Sequence, residues 1–199
     1  MSLPILILAA GKSRRYGAAD KRFTKLPHGG LLVNAMVRRT RKAGLEASVV
    51  LDADDDVSDK IDAPCILSAN ANLGMGHSIA DGVAALASAG TAEAVLILPV
   101  DLPLLRIASL QAVAQAAQAN QIVVPVCHGQ RGHPVAFGRD FWPLLSALTG
   151  DVGAKSILRS RVDCVRELLV EDHGIYQDAD TPETMSELLL SLKPRLRPR

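Results

Sequence analysis

The sequence predicts an α/β protein with a doubly wound, mostly parallel sheet and helices on both faces. Two observations carry this. Continuous apolar runs of strand length stand at Leu3–Ala10, Ala94–Val100 and Ile122–Val126, and shorter strand-like segments at Ala47–Leu51 and Val165–Val170. Runs without polar alternation belong to strands buried on both sides, as parallel strands are when crossover helices cover them. Segments with helical spacing fall between these runs, and strand–helix alternation builds a parallel sheet.

Leu3–Ala10 is uninterrupted and ends at Gly11. It is too short to span a bilayer. Its positive charges, Lys12, Arg14 and Arg15, follow it rather than precede it, the wrong order for a secretory signal. It reads as a buried strand. Gly30–Ala43 reads as a helix closed by Gly44, and Ala47–Leu51 as a short strand. Gly76–Ala89 carries small and apolar residues at helical spacing and stops at Gly90. Ala94–Val100 is a buried strand, Ile107–Ala119 an Ala/Gln-rich helix, and Ile122–Val126 a strand followed by a loop, His128 to His133. Arg139–Leu148 and Gly153–Arg159 look helical, and Val165–Val170 is a strand. Thr181–Leu192 is a helix with Thr181 as N-cap and Pro182 at its first position. Thr184 stands where a capping box would place Glu or Gln. No repeat or internal linker interrupts the pattern. Residues 1–192 read as a single domain and KPRLRPR, 193–199, as a disordered tail.

The bulk numbers narrow the function classes. The chain has 199 residues and a formal net charge of +1, so no strong field favours nucleic acid or a membrane surface. Aromatic residues make up 3%, which leaves little for stacking single-stranded bases. Cys65, Cys127 and Cys164 are far apart and odd in number. No CxxC and no Cys/His pair has metal-site spacing, and a reduced, cytoplasmic compartment is expected.

In open sheets of this kind ligands bind outside the carboxyl ends of the strands. That rule selects the loops after Gly11, after Val100 and after Val126. The first contains AGKS, Ala10 to Ser13. A P-loop needs a glycine five residues before its Gly-Lys-Ser, and Leu6 stands there, so that reading fails. A G-x-G-x-x-G fingerprint is also absent. Small residues followed by Arg14, Arg15 and Lys21 still suit a polyanion; a solvated basic loop has the same composition. Asp101 in PVDLPLL suits Mg²⁺ held against phosphates, or a turn before Pro103. GMGHSIADG places Gly74, Gly76, His77 and Ser78 at a helix start, fit for an anion or for simple capping. Arg131, Gly132 and His133 in GQRGHPVAFG suit a phosphate or polar heterocycle, or an exposed turn. Asp178 and Asp180 precede the last helix, where carboxylates stabilise the N-terminus by themselves and can also hold a metal.

Taken in order, LAAGKSRRYG…DK, GMGHSIADGV, PVDLPLL, GQRGHPVAF, GDVGAKSIL and DADTPETM resemble the signatures of the MobA-like nucleotidyltransferases, in the molybdenum cofactor cytidylyltransferase branch. The likeness runs from about Leu3 to Leu190. It implies a nucleotide-diphospho-sugar transferase-like fold and transfer of CMP from CTP to the terminal phosphate of molybdopterin, with release of pyrophosphate. GTP, another phosphorylated acceptor, or a non-catalytic cofactor-binding chaperone are the alternatives. Carried onto this chain, Leu8, Ala9, Ala10, Gly11 and Ser13 would line the nucleotide. Arg15 and Lys21 would contact the triphosphate, with Lys25 a second candidate for the lysine. Gly76 and Ser78 would meet base or ribose. Asp101 would bind Mg²⁺ with Asp180 as second ligand and Asp178 a weaker one. Arg131, Gly132 and His133 would face the acceptor. A molybdenum hydroxylase would receive the product. LAAG rather than LAGG leans toward CTP. The acidic run Asp52–Asp56 has no role in this scheme.

Overall fold

The computed structural model describes residues 2–11, 16, 20–27 and 29–192. Its centre is an eight-stranded sheet. The chain enters along β1 (Pro4–Leu8), passes through α1 (Leu32–Lys42) and returns as β2 (Glu46–Asp52), which pairs parallel with β1. β3 (Cys65–Ser68) adds parallel to β2, and α2 (Met75–Ala89) carries the chain back to β4 (Ala94–Pro99), parallel to β1 on its other side. α3 (Ile107–Ala116) leads to β5 (Ile122–Cys127). The chain then turns through β6 (Gln130–Arg131) into β7 (Val135–Gly138), which lies antiparallel between β4 and β5. α4 (Trp142–Ser146) and α5 (Lys155–Ser160) precede β8 (Val165–Leu169), and α6 (Pro182–Ser191) closes the described chain.

β8 pairs parallel with β5 along Ile122 to Val126. β6 and β7 pair with β5 at residues that β8 also reaches, so both occupy the opposite edge of β5. The order is that of a mostly parallel sheet with one antiparallel strand inserted.

Strand periodicity sorts the core. Ile5 and Ile7 point to one face, where they meet Leu32, Val33, Met36 and Val37 of α1, Leu110 and Val113 of α3, and Met185 of α6. Leu6 and Leu8 point to the other, against Ile79 and Val83 of α2, Trp142 and Leu145 of α4, and Ile157 of α5. Both faces of β1 are therefore dry, and its five residues are all buried, as the apolar run requires.

Several expectations are corrected in detail. β3 and β7 are strands that the sequence pattern did not announce. The stretch His128–His133 is a tight turn with a short strand rather than an irregular loop. The segment from Arg139 to Leu148 splits into a 3-10 turn, Arg139–Phe141, and the five-residue α4. α3 stops at Ala116 because Ala117 leaves helical backbone at φ −67°, ψ 135°. The N-cap of α6 is as expected: the Thr181 hydroxyl accepts from Thr184 N at 3.2 Å. No helix among the described residues is long and apolar enough to cross a membrane. The 193–199 tail lies outside the described residues.

Candidate active site

The parallel ladder sets the site. Pairing of Leu8 with Pro99 aligns the carboxyl ends of β1 and β4, and Val100 N donates to Leu8 O at 3.2 Å. Asp101 therefore emerges beside Ala9 and Ala10. The Asp101 carbonyl accepts Ala179 N at 3.0 Å, which draws the Asp178–Asp180 segment to the same edge. Lys21 arrives on a 3-10 turn, Lys21–Phe23, whose Asp20 cap accepts from Arg22 N.

These pieces converge on one cation. Lys21 Nζ lies 2.6 Å from Asp101 Oδ2 and 3.5 Å from Asp180 Oδ1. The Lys21 and Asp101 side chains are only 13% and 14% exposed. Lys25, the alternative lysine, is exposed and pairs by backbone with Leu31. Of the two candidate lysines, Lys21, the one expected, is the one that reaches Asp101.

Two cavities meet at this pair. One, of 460 Å³, is lined by Leu8, Ala9, Ala10, Gly11, Lys21 and Asp180, with Ala71, Asn72 and Ser78 opposite. The other, of 440 Å³, is lined by Asp101, Arg131, Gly132, His133, Lys155 and Asp178, with Tyr176 at its wall. Leu8, Met75, Pro99 and Asp151 border both. Residues assigned in sequence to a nucleotide and residues assigned to an acceptor fall into different cavities, with Lys21 and Asp101 at the junction.

Gly76 does not line the first cavity. Its amide donates to Gly150 O at 2.8 Å, and a Cβ there would stand 2.6 Å from Thr149 O. It seats α2 on the Thr149–Asp151 loop, and this brings Asp151 to the rim. Ser13 and Arg15 lie outside the described residues.

Arg131 lines the acceptor-side cavity while its Nε donates to Glu167 Oε1 at 2.7 Å, an exposed pair. His133 lies deeper. Burial pushes its imidazolium below the ordinary histidine range, against the pull of Asp101, and the nearby Lys155 charge pushes the same way as burial. Its Nδ1 is buried without a hydrogen-bond partner. Burial and then the Asp180 and Asp101 carboxylates push the Asp178 carboxyl up.

Arg22 is a residue the sequence reading missed. Its buried guanidinium grips Asp20 (Nε–Oδ1 2.9 Å, Nη2–Oδ2 2.6 Å). It also donates from Nη1 to Asp55 Oδ2 at 2.6 Å and to Ala9 O at 2.8 Å. Burial alone would disfavour its charge, but the two carboxylates hold it firmly protonated. Here the acidic run finds a role: Asp55 helps fix Arg22, which fixes the backbone at the floor of the first cavity. The signal is non-local, and only the Asp20–Arg22 spacing was visible in sequence.

The donor set suits a divalent cation. Asp101 Oδ1 is buried with no hydrogen-bond partner, while Asp178 and Asp180 add carboxylate oxygens nearby. Hard oxygen donors fit Mg²⁺ or Mn²⁺.

A doubly wound sheet with a Lys–Asp junction between two cavities at its carboxyl edge is an α/β protein with its ligand site where open sheets place one. The family model for the MobA-like NTP transferase domain matches residues 5–165, and the chain belongs to that family. It is 30% identical over 200 residues to the purine catabolism protein PucB of Bacillus subtilis (strain 168), covering 92% of this chain and 95% of that one. Its fold matches the crystal structure of an Rv0371c homologue from Mycobacterium sp. strain JC1, with a TM-score of 0.81, 26% identity and 96% of each chain covered. It also matches Rv0371c of Mycobacterium tuberculosis in complex with manganese, with a TM-score of 0.75 and 24% identity over 96% of this chain and 100% of that one.

Proposed function

We propose that this nucleotidyltransferase moves CMP from CTP to the terminal phosphate of molybdopterin and releases pyrophosphate. The observation that carries the reading is the Lys21–Asp101 contact of 2.6 Å at the junction of the two cavities. A reaction between two bound phosphates needs its charged groups where the two sites touch. The acceptor side is supported by the segments that line the second cavity. Arg131, Gly132 and His133 come from RGHPV, and Gly153, Ala154 and Lys155 from GDVGAK. The PucB relative is a purine catabolism protein, which fits a product destined for a molybdenum hydroxylase.

The attacking group needs no strong base, since a phosphomonoester has its second pKa at about 6 and is largely ionised at neutral pH. The difficulty is bringing an anion to a polyanion. Lys21 offers positive charge to the triphosphate and to the departing pyrophosphate. Lys155 offers it to the acceptor. His133, kept neutral by burial, orients the acceptor by hydrogen bonding without adding charge. Ala9, Ala10 and Gly11 let the nucleotide approach the backbone closely, and Arg22 keeps that backbone in place. Asp101, with Asp180 and Asp178, would hold Mg²⁺ or Mn²⁺, which would supply charge neutralisation on phosphate oxygens.

The test is pyrophosphate release by the purified protein given molybdopterin with CTP or GTP, in Mg²⁺ and in Mn²⁺. Release is expected with CTP, to depend on the acceptor, and to fall at least ~10²-fold in Asp101→Asn, by analogy with losing one preorganised electrostatic group. Preference for GTP would move the product to the guanine dinucleotide. Nucleotide binding without any release would favour a cofactor-holding chaperone instead.

A further inference from the structure

Outside the lining of both cavities, and behind Tyr176 of the second, three soft or borderline ligands converge. Cys127 ends β5, and His128 and Gly129 form the two-residue turn into β6, both with positive φ (50° and 77°). This is the backbone of a type I′ hairpin turn. His173 comes from a different element, the 3-10 turn His173–Ile175. One ligand atom from each of Cys127, His128 and His173 lies within 4.8 Å of the other two. Tetrahedral zinc with Zn–S of about 2.3 Å and Zn–N of about 2.0–2.1 Å needs ligand atoms about 3.3–3.7 Å apart. Side-chain rotation has to bring these atoms about an ångström closer.

The His128 and His173 rings lie side by side, 4.8 Å apart with an interplanar angle of 9°, so one ring must turn out of the stack for both to aim an in-plane nitrogen at a single ion. His173 Nδ1 lies 2.6 Å from the Tyr176 hydroxyl, so a metal at Nε2 would leave Nδ1–H to donate to Tyr176, and such an outer hydrogen bond fixes the tautomer of a ligating histidine. The loop carrying His173 is anchored by the buried Asp172. Its Oδ1 accepts from Gly174 N at 2.9 Å, and its Oδ2 from Arg106 N at 2.9 Å and Ser109 Oγ at 2.6 Å. The thiol is buried and both imidazoles are exposed, so the set is open to solvent on one side.

We propose that Cys127, His128 and His173 form a binding site for a zinc-class divalent cation, with a fourth position left to water. A thiolate with two imidazoles selects Zn²⁺ over the hard Mg²⁺ and Mn²⁺ that suit the Asp101 carboxylates. The two sites are therefore chemically separate. The sequence pattern hid this one because its third ligand stands 45 residues beyond His128 (173 − 128) and comes close only when the β5–β6 turn meets the Asp172-anchored loop.

The experiment is titration of the full, chelator-stripped chain with Co²⁺, followed by displacement with Zn²⁺. One equivalent of Co²⁺ should bind with a thiolate-to-cobalt charge-transfer band and the visible bands of tetrahedral cobalt, whereas Co²⁺ on the Asp101 carboxylates gives no thiolate band. Zn²⁺ should abolish both. Cys127→Ser should remove the charge-transfer band, while Cys65→Ser and Cys164→Ser keep it. His128→Asn, which tolerates the same positive φ, should weaken binding at least about tenfold. Absence of a thiolate band in the wild-type chain, or its survival in Cys127→Ser, overturns the proposal. Should Cys127→Ser fail to fold, His128→Asn and His173→Gln decide, and wild-type affinity in both overturns it.

Discussion

Lys21 and Arg22 are neighbours in sequence with opposite tasks. Lys21 reaches forward to Asp101 and Asp180 across the junction of the cavities, whereas Arg22 reaches back to Asp20, Asp55 and Ala9 O. The Arg22 side chain is 9% exposed and its two carboxylates 35% and 28%. Removing one partner of a buried pair costs about 3–5 kcal/mol, and the partial exposure of the acids lowers this to about 2–3 kcal/mol for Arg22→Ala. Urea unfolding at unchanged m-value should show that loss, with Arg22→Lys recovering only part, because lysine lacks the fork. Burial acts to raise the Asp20 pKa, but the bonds and charge of Arg22 outweigh it and hold the carboxyl below its ordinary 3.8. That stabilisation is present above pH 3.8 and is lost as pH falls through the lower folded value, so Arg22→Ala should flatten the acid limb of the stability profile. His133 works with the opposite chemistry. Its folded pKa lies below the ordinary 6.5, so the unfolded chain takes up the proton first. Stability is full above pH 6.5 and declines from there down to the folded value. His133→Gln should remove that decline, and an unchanged slope between pH 6.5 and 5 would contradict the buried neutral imidazole. Lys21 and Asp101 were legible in sequence as a lysine and an aspartate just past two buried strands. Arg22 was not, because its meaning depends on Asp55, 33 residues on.

At the scale of elements, β1, β2, β4, β5 and β8 and the longer helices were legible within their own residues. β1 is apolar without a break, and α6 is capped by Thr181 and opened by Pro182. β3 and β7 were not. Cys65–Ser68 is four residues with mixed exposure, and its three apolar residues are too short a run to announce a strand. Val135–Gly138 becomes a strand only by lying antiparallel between β4 and β5, a non-local event hidden behind the RGHPV motif. The glycine-rich start of α2 suits an anion or simple capping in sequence, and its structure adds a packing role. Gly74 has φ 124°, and a Cβ on it would stand 2.4 Å from both Gly150 C and Asp151 Oδ1. Gly74→Ala must therefore move the Gly150–Asp151 backbone or the helix start. The backbone strain alone costs about 1–3 kcal/mol, and with the clash a loss of about 2–4 kcal/mol is expected. Gly90 gives the control. Its φ of −172° is ordinary extended backbone and its Cβ position is open, so Gly90→Ala should be neutral or stabilising by a few tenths of a kcal/mol, the low end of what loss of unfolded-chain freedom gives. Equal midpoints for the two variants in urea would show that α2 does not depend on close contact with the Thr149–Asp151 loop.

For the whole molecule, the consequence of building the site from loops at one sheet edge is that ligand binding and folding are linked. Gly11, Lys21, Ser78 and Asp180 come from four separate stretches of chain that meet only in the native sheet. An unfolded chain cannot assemble them, so a bound nucleotide stabilises the native state alone. At a nucleotide concentration one hundred times Kd, that linkage contributes about 2.7 kcal/mol. For a chain of this length each kcal/mol moves Tm by roughly 2–4 °C, so CTP with Mg²⁺ should raise Tm by about 5–10 °C. A chelator that removes the divalent ion should reduce the shift, since Asp101 and Asp180 would then face the triphosphate with Lys21 as their nearest compensation. Lys21→Ala should reduce it further, because two carboxylates would meet a polyanion without that cation. The same scan run with GTP reads base preference directly: a larger shift for CTP supports the cytidylyl reading, and a larger one for GTP transfers the fold and the charge arrangement intact to a guanylyl donor. A Tm that no nucleoside triphosphate moves at saturating concentration would mean that the 460 Å³ cavity does not serve the triphosphate, and that Lys21 and Asp101 are held together for stability alone.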